Sequence, residues 1–274
     1  MIIAICHEAF SGGEAFAHHV AQRFSCVSVT REANIAAAAR QYRIPIEELT
    51  AAMERRPLFW AKALGAHVGY LPAFRACLYE RAERGNLIYS GYLGHLLFPG
   101  VSHVLSVRVV AEPEARLHAA MRHATLPRSQ ALATLEREDR TLREWIRFLF
   151  GVEWGDPGLY DVTLNLSRLR LETACDSVIQ LAASPQFQPT PASQKALRDL
   201  TLHSRVLATL AMDFRTRDAQ LKVAVADGVV TITGTTRWAE VAEAIPTVVR
   251  TVAGVKEVRS EITGGTTPPG LIWY

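Results

Sequence analysis

What the chain lacks narrows its class first. No apolar run approaches the roughly 20 residues that a membrane-spanning helix needs. The opening Met1-Ile2-Ile3-Ala4-Ile5-Cys6 meets His7-Glu8 at once, too short also for the apolar stretch of a secretory signal. The four cysteines, Cys6, Cys26, Cys77 and Cys175, have no paired spacing, which suggests neither a disulfide framework nor a zinc site and suits a reducing compartment, so a cytoplasmic location is expected. A net charge of only +3 lacks the clustered basicity of a nucleic-acid binder, and no nucleic-acid partner is expected. Histidines are more plentiful, but His18 and His19 are adjacent, about 100° apart on a helix, and His118 and His123 are five apart, so no metal site is expected from them. Trp60, Trp145, Trp154, Trp238 and Trp273 show no interleaved basic residues and read as packing residues.

What is present is enough apolar residue, 49% of 274, to fill a core in each of two domains. Short β-rich runs at Ile2 to Cys6, Cys26 to Thr30, Asn86 to Ser90, His103 to Ala111 and Asp161 to Asn165 alternate with helical stretches such as Leu71 to Arg84, Glu112 to His123 and Leu171 to Ala183. That alternation predicts an α/β fold, a parallel sheet with helices on both faces. Leu132, Leu135, Leu142, Ile146 and Leu149 recur at helical spacing and predict a long amphipathic helix, or two shorter ones, from about Arg128 to Phe150. Pro185, Pro189 and Pro191 then mark a linker. Beyond it, helix Gln194 to Asp213, strands on either side of Asp227-Gly228, a helix from about Ala239 to Thr251 and a strand from Val255 to Ile262 form a small second unit, Asp-Gly being a strong hairpin signal. The expected division is residues 1–184, a linker and helix start at 185–201, a second module at 202–263 and a Pro-Gly tail at 264–274.

Ser11-Gly12-Gly13 stands between the first strand and the first helix. It reads either as a tight turn or as a phosphate cradle, because amides at a helix start face outward with the positive end of the helix. A full P-loop adds a Lys for the β- and γ-phosphates and a Ser or Thr for magnesium; those places hold Gly13 and Glu14. The stretch Ala4 to Gly13 resembles the opening of the cytidylate kinase-like family, Ser-Arg-Glu-aromatic-Gly-Ser-Gly-Gly-Arg, through Glu8, Ser11, Gly12 and Gly13. His7, Phe10 and Glu14 depart from it, and the lost arginines bear on turnover more than on fold.

Two further segments carry the resemblance. Gly91-Tyr92 stands where such kinases have Gly-Arg at the acceptor phosphate; a tyrosine can stack or donate one hydrogen bond but cannot neutralise a dianion. Phe150-Gly151-Val152-Glu153-Trp154-Gly155-Asp156-Pro157-Gly158-Leu159-Tyr160-Asp161 through Asn165 is similar to the family's Tyr-Gly-Val-Asp-Trp-x-Asp-Pro-x-x-Tyr-Asp-Leu-x-x-Asn segment. By that likeness Asp161 contacts the acceptor's sugar; read from the residues alone it caps a turn. Ahead of that segment, Arg137, Arg140, Arg143 and Arg147 recur at steps of three and four, either a solvated stripe paired with Glu136, Asp139 and Glu144 or a lid that closes over phosphates.

Residues 202–262, through Asp227-Gly228-Val229-Val230-Thr231-Ile232-Thr233-Gly234-Thr235 and Val252-Ala253-Gly254-Val255-Lys256-Glu257-Val258, resemble the BON domain, which implies a protein partner or self-association. The resemblances together imply a P-loop nucleoside monophosphate kinase-like protein moving the γ-phosphoryl group of ATP, with Mg2+, to CMP or a similar nucleotide. Ser11, Gly12 and Gly13 would cradle phosphates, Arg140, Arg143 and Arg147 would act in transfer, and Gly91, Tyr92 and Asp161 would hold the acceptor. The alternative is a catalytically degenerate nucleotide-binding regulator that signals through its second module.

Overall fold

The computed structural model describes residues 1–24, 26–54, 70–92, 94–217, 219–236 and 238–264. Trp60, Trp273 and the tail after Gly264 lie outside them.

The expected alternation forms a five-stranded sheet. Strand β1 (Ile2–His7) lies at its centre, β2 is Val27–Thr30, β3 Leu87–Ser90, β4 Val104–Val110 and β5 Val162–Asn165, in the order β2-β3-β1-β4-β5 with every pair parallel. The period-two pattern of β1 feeds two cores: Ile2 and Cys6 pack on one face of the sheet, Ile3 and Ile5 on the other. Helices α1 (Gly13–Phe24) and α7 (Leu171–Ala182) cover the second face. The first face is covered by α2 (Arg31–Tyr42), α3 (Ile46–Glu54) and α4 (Tyr70–Glu83). Helices α5 (Pro113–Ala124) and α6 (Arg128–Phe150) form a hairpin with a core of its own, Leu117, Ala120, Ala131 and Leu135. Helix α6 is one continuous helix of 23 residues.

The prolines expected to break the chain at the linker start elements instead. Pro185 opens a 3-10 turn whose Phe187 is buried in the first domain's core. Pro191 opens α8 (Pro191–Met212), capped by Thr190 in a reciprocal box with Ser193. Helix α8 belongs to both units: Leu197 and Ala208 pack with α4 in the first core, while Leu202, Val206 and Leu210 pack in the second. The expected boundary at 201/202 therefore falls inside one helix. The second unit adds β6 (Gln220–Ala226), β7 (Val229–Thr236), α9 (Ala239–Arg250) and β8 (Glu257–Gly264), with β6 antiparallel and β8 parallel to β7. Its hairpin turns at Asp227-Gly228, both with positive φ, as expected.

Candidate functional site

Strand order reverses beside β1, so the ligand crevice of such a sheet lies beyond the carboxyl ends of β1 and β3. The Ser11-Gly12-Gly13 bend sits there. Ser11 is turned inward, its N–H and its hydroxyl both donating to the Glu8 carbonyl at 3.2 and 2.8 Å. Gly12 takes φ +84°, and the first helical bond closes from the Phe16 N–H to the Gly12 carbonyl, so the amides of Gly12 to Ala15 form the donor end of α1. Gly13 is fixed by sterics, since a Cβ there would overlap the Cβ and Cγ of His7. Phe10, also at positive φ, sends its ring away from the bend to pack on the α5–α6 core near His123.

Two cavities open in this region. One of about 350 Å³ is lined by His7, Glu14, Thr30, Arg31, Ser90 and Tyr92 among others; the second, about 520 Å³, by Arg31, Met53, Tyr92, Arg137, Thr141 and Trp145 among others. Arg31 and Tyr92 line both, with the guanidinium 4.6 Å over the tyrosine ring, so this stacked pair is the partition between them. Burial holds the His7 imidazole below its ordinary pKa, so it enters the first cavity as a neutral ring. Gly91 gives its N–H to the Ile5 carbonyl, and a Cβ on it would stand 2.5 Å from the Tyr89 hydroxyl. That hydroxyl is fully buried with no hydrogen-bond partner among the described residues.

The arginine-bearing helix divides its cations. Arg137 lines the second cavity with Thr141 and Trp145, whereas Arg140, Arg143 and Arg147 line a separate open groove with Glu136, Asp139 and Glu144. At 100° per residue Arg137 is turned roughly 60° or more from all three. Arg147 is paired with Glu153 at 2.5 Å and Arg143 donates to the Asp139 carbonyl, so here these three form the solvated stripe.

Asp161 is placed differently from the expected acceptor contact. Its Oδ2 accepts from the Ser106 N–H at 2.7 Å and the Ser106 hydroxyl at 2.6 Å, joining β4 to the start of β5. Ser106 is in register with Ala4, roughly 10 Å of strand below the carboxyl end of β1. Asp161 is a joint within the sheet, distant from the bend.

The rest of that segment supports the bend from below. The Trp154 indole donates to Cys6 Sγ at 3.0 Å, Cys6 Sγ–H donates to the Tyr92 carbonyl at 2.9 Å, and the Tyr160 hydroxyl donates to the Trp154 carbonyl at 2.9 Å. Burial raises the Cys6 thiol to about 11, which keeps it a neutral donor. Arg108 stacks over the Trp154 and Tyr160 rings and pairs with Glu8 at 3.3 Å. Glu8 also faces Arg116 at 3.4 Å, and Arg116 forks onto Asp139 at 2.9 and 2.7 Å while donating to the Ala9 carbonyl. This network ties the bend to α5 and α6. Sequence reasoning missed Arg31, Arg108 and Arg116; an arginine inside the apolar run Leu105-Ser106-Val107-Arg108-Val109-Val110 was the available signal.

Ser11, Gly12 and Gly13 line neither cavity; the first meets α1 along Glu14, Ala17 and His18, and its cation, Arg31, is paired with Glu32 at 2.8 Å. A magnesium ion would meet Glu14 and Glu32 on the first cavity wall, Glu32 being already held by Arg31, and no group of three His, Cys, Asp or Glu that could hold a metal unaided occurs among the described residues.

A sequence model described as the cytidylate kinase-like family matches residues 2–168, and one described as the BON domain matches residues 198–265. No curated protein matches the chain. Among solved structures it is similar to an uncharacterized protein from Eubacterium ventriosum, at 17% identity over 67% of this chain and 99% of that one, TM-score 0.54. It is also similar to TT1252 from Thermus thermophilus, at 19% identity over 67% and 98%, TM-score 0.44. A shikimate kinase from Acinetobacter baumannii, in complex with shikimate, matches at 11% identity over 68% and 95%, TM-score 0.37. The first likeness, at that score, speaks for the fold.

Proposed function

The chain belongs to the cytidylate kinase-like family, and from that premise we propose that it transfers the γ-phosphoryl group of ATP to CMP or a similar nucleoside monophosphate. One observation carries this reading: two cavities at the carboxyl end of the sheet meet at the Arg31–Tyr92 stack, one reaching the first turn of α1 and the other running beneath α6. The first, lined from α1 by Glu14, Ala17 and His18, would take the nucleotide with its phosphates reaching toward the adjoining amides of Gly12 and Gly13, with magnesium carried in on the phosphates. The second would take the acceptor between Tyr92, Arg31 and Arg137. Neutralising charge on the moving phosphoryl group is most of what such a site must do. Arg31 and Arg137 supply that charge here, and closure of α6 would have to bring in Arg140, Arg143 and Arg147.

A second reading rests on a separate observation. Glu14 lines the triphosphate cavity at the place of a cation, and Arg108 and Arg116, behind the bend, are held by Glu8 and Asp139. This favours a regulator that binds nucleotide without turning it over and acts through the second module. The four cysteines are free thiols, which suits a cytoplasmic setting for either reading. Coupled ATP consumption with CMP, run beside calorimetric titration with ATP and magnesium, separates them. Turnover supports the kinase, binding alone supports the regulator, and silence in both assays removes nucleotide from the account.

A further inference from the structure

The second sheet ends in two edge strands, β6 and β8. Helix α8 packs along β6. Strand β8, the other edge, carries helix α9 on its face, and its outer side has no strand pairing among the described residues. Unpaired strand edges invite pairing, and proteins ordinarily blunt them.

The side chains of β8 are arranged for one partner. Val258 and Ile262 are half-buried toward the helices, while Glu257, Arg259 and Glu261 alternate with them on the open face. Arg259 is bonded to Glu257 at 2.7 Å; Glu261 has no ion pair among the described residues. We propose that β8 pairs antiparallel with β8 of a second copy of this chain, about a two-fold axis at Ser260, giving a six-stranded sheet across a homodimer. In that register Arg259 of each copy stands opposite Glu261 of the other, Val258 opposite Ile262, and Glu257 opposite Thr263. Sliding by one pair in one direction sets Arg259 against Arg259 and Glu257 against Glu261; sliding in the other sets Glu261 against Glu261. A two-fold at Val258 would also set Glu257 against Arg259 but would pair only residues 257–259 of the strand, so charge and overlap together select one register, and the two-fold makes the contact self-complementary. Main-chain bonds supply the affinity and the alternate side chains the register. The contact does not involve the crevice, so it stands or falls apart from the nucleotide reading.

The test is sedimentation equilibrium of the full-length protein without nucleotide, in a concentration series into the high-micromolar range. Wild type is expected to dimerise. Arg259→Glu and Glu261→Arg each place like charges opposite one another twice and are expected to weaken the dimer by roughly tenfold or more. The double variant restores both pairs, and so does mixing the two single variants, which should form a heterodimer. Both side chains lie on exposed positions, and unchanged far-UV circular dichroism confirms that each variant folds. A wild type that stays monomeric throughout, or single variants that dimerise as wild type does, overturns the proposal.

Discussion

Two groups of arginines meet on either side of helix α6, and they contrast in every respect that a sequence displays. Arg140, Arg143 and Arg147 recur at helical spacing and announce a common face, yet they line an open groove, one of them tied to Glu153. Arg108 and Arg116 come from a strand and from a different helix and follow no spacing, yet they are nearly buried and join Glu8, Ala9 and Asp139 into one network beneath the bend. Periodicity tells which residues share a face; it does not tell which face turns toward the crevice. Burial decides what each cation is worth, because an exposed pair in high dielectric contributes little while a buried one cannot lose a partner cheaply.

The strongest way to break this comparison is Arg116→Ala. It would leave Glu8 and Asp139 without their shared cation at a site where the arginine side chain is only 9% exposed. The expected cost is about 3–5 kcal/mol in urea unfolding; a change under about 1 kcal/mol would mean that solvent already screens the network. Next comes Gly13→Ala. The new methyl would meet the Cβ of His7, which sits on its own backbone and cannot swing aside. Overpacking of this kind costs about 1–3 kcal/mol, and the same unfolding measurement reads it. A stable Gly13→Ala protein would show that the bend is free to reshape.

Much of the fold was legible because it rests on period and punctuation. The five strands, the long α6, the Asp227-Gly228 turn and the second unit all stand where alternation and turn residues place them. Helices α2 and α3 were not legible: α2 reads Arg31-Glu32-Ala33-Asn34-Ile35-Ala36-Ala37-Ala38-Ala39, and so much alanine blurs the contrast between apolar and polar faces on which the helical pattern depends. Because α2 begins with Arg31, the partition of the crevice was lost with it. The prolines before α8 were read as breaks, whereas a proline missing its N–H is also well suited to a first helical turn. Asp161 was assigned to the crevice from its motif, and its bonds to Ser106 place it in the sheet. Long-range partners such as Glu8 with Arg116 leave no local mark in a sequence.

A smaller effect sharpens the contrast from the ligand side. Glu14→Arg exchanges a repulsive charge on the first cavity wall for an attractive one at the start of α1. ATP with magnesium should bind roughly tenfold tighter by calorimetry. Against this, the helix start loses a favourable carboxylate, about 0.3–1 kcal/mol of stability, so affinity rises while the melting temperature slips. An unchanged dissociation constant would show that the Glu14 side chain faces away from the phosphates.

The quietest change should be Arg143→Ala. Its Nε reaches only the carbonyl of Asp139 one turn back, its neighbours in the groove include Glu136 and Glu144, and surface substitutions of this type usually fall within about 0.5 kcal/mol. Nucleotide affinity should stay with it, whereas Arg137→Ala, on the cavity wall, should weaken acceptor binding several-fold. Titrating both variants with CMP and with ATP makes the pair informative. If Arg143→Ala lowers affinity as much as Arg137→Ala does, helix α6 must roll toward the crevice when ligand binds, and the division between stripe and cavity wall does not survive binding. If Arg143→Ala alone is silent, the stripe is a solvated face and the charge for any phosphoryl transfer has to come from Arg31 and Arg137.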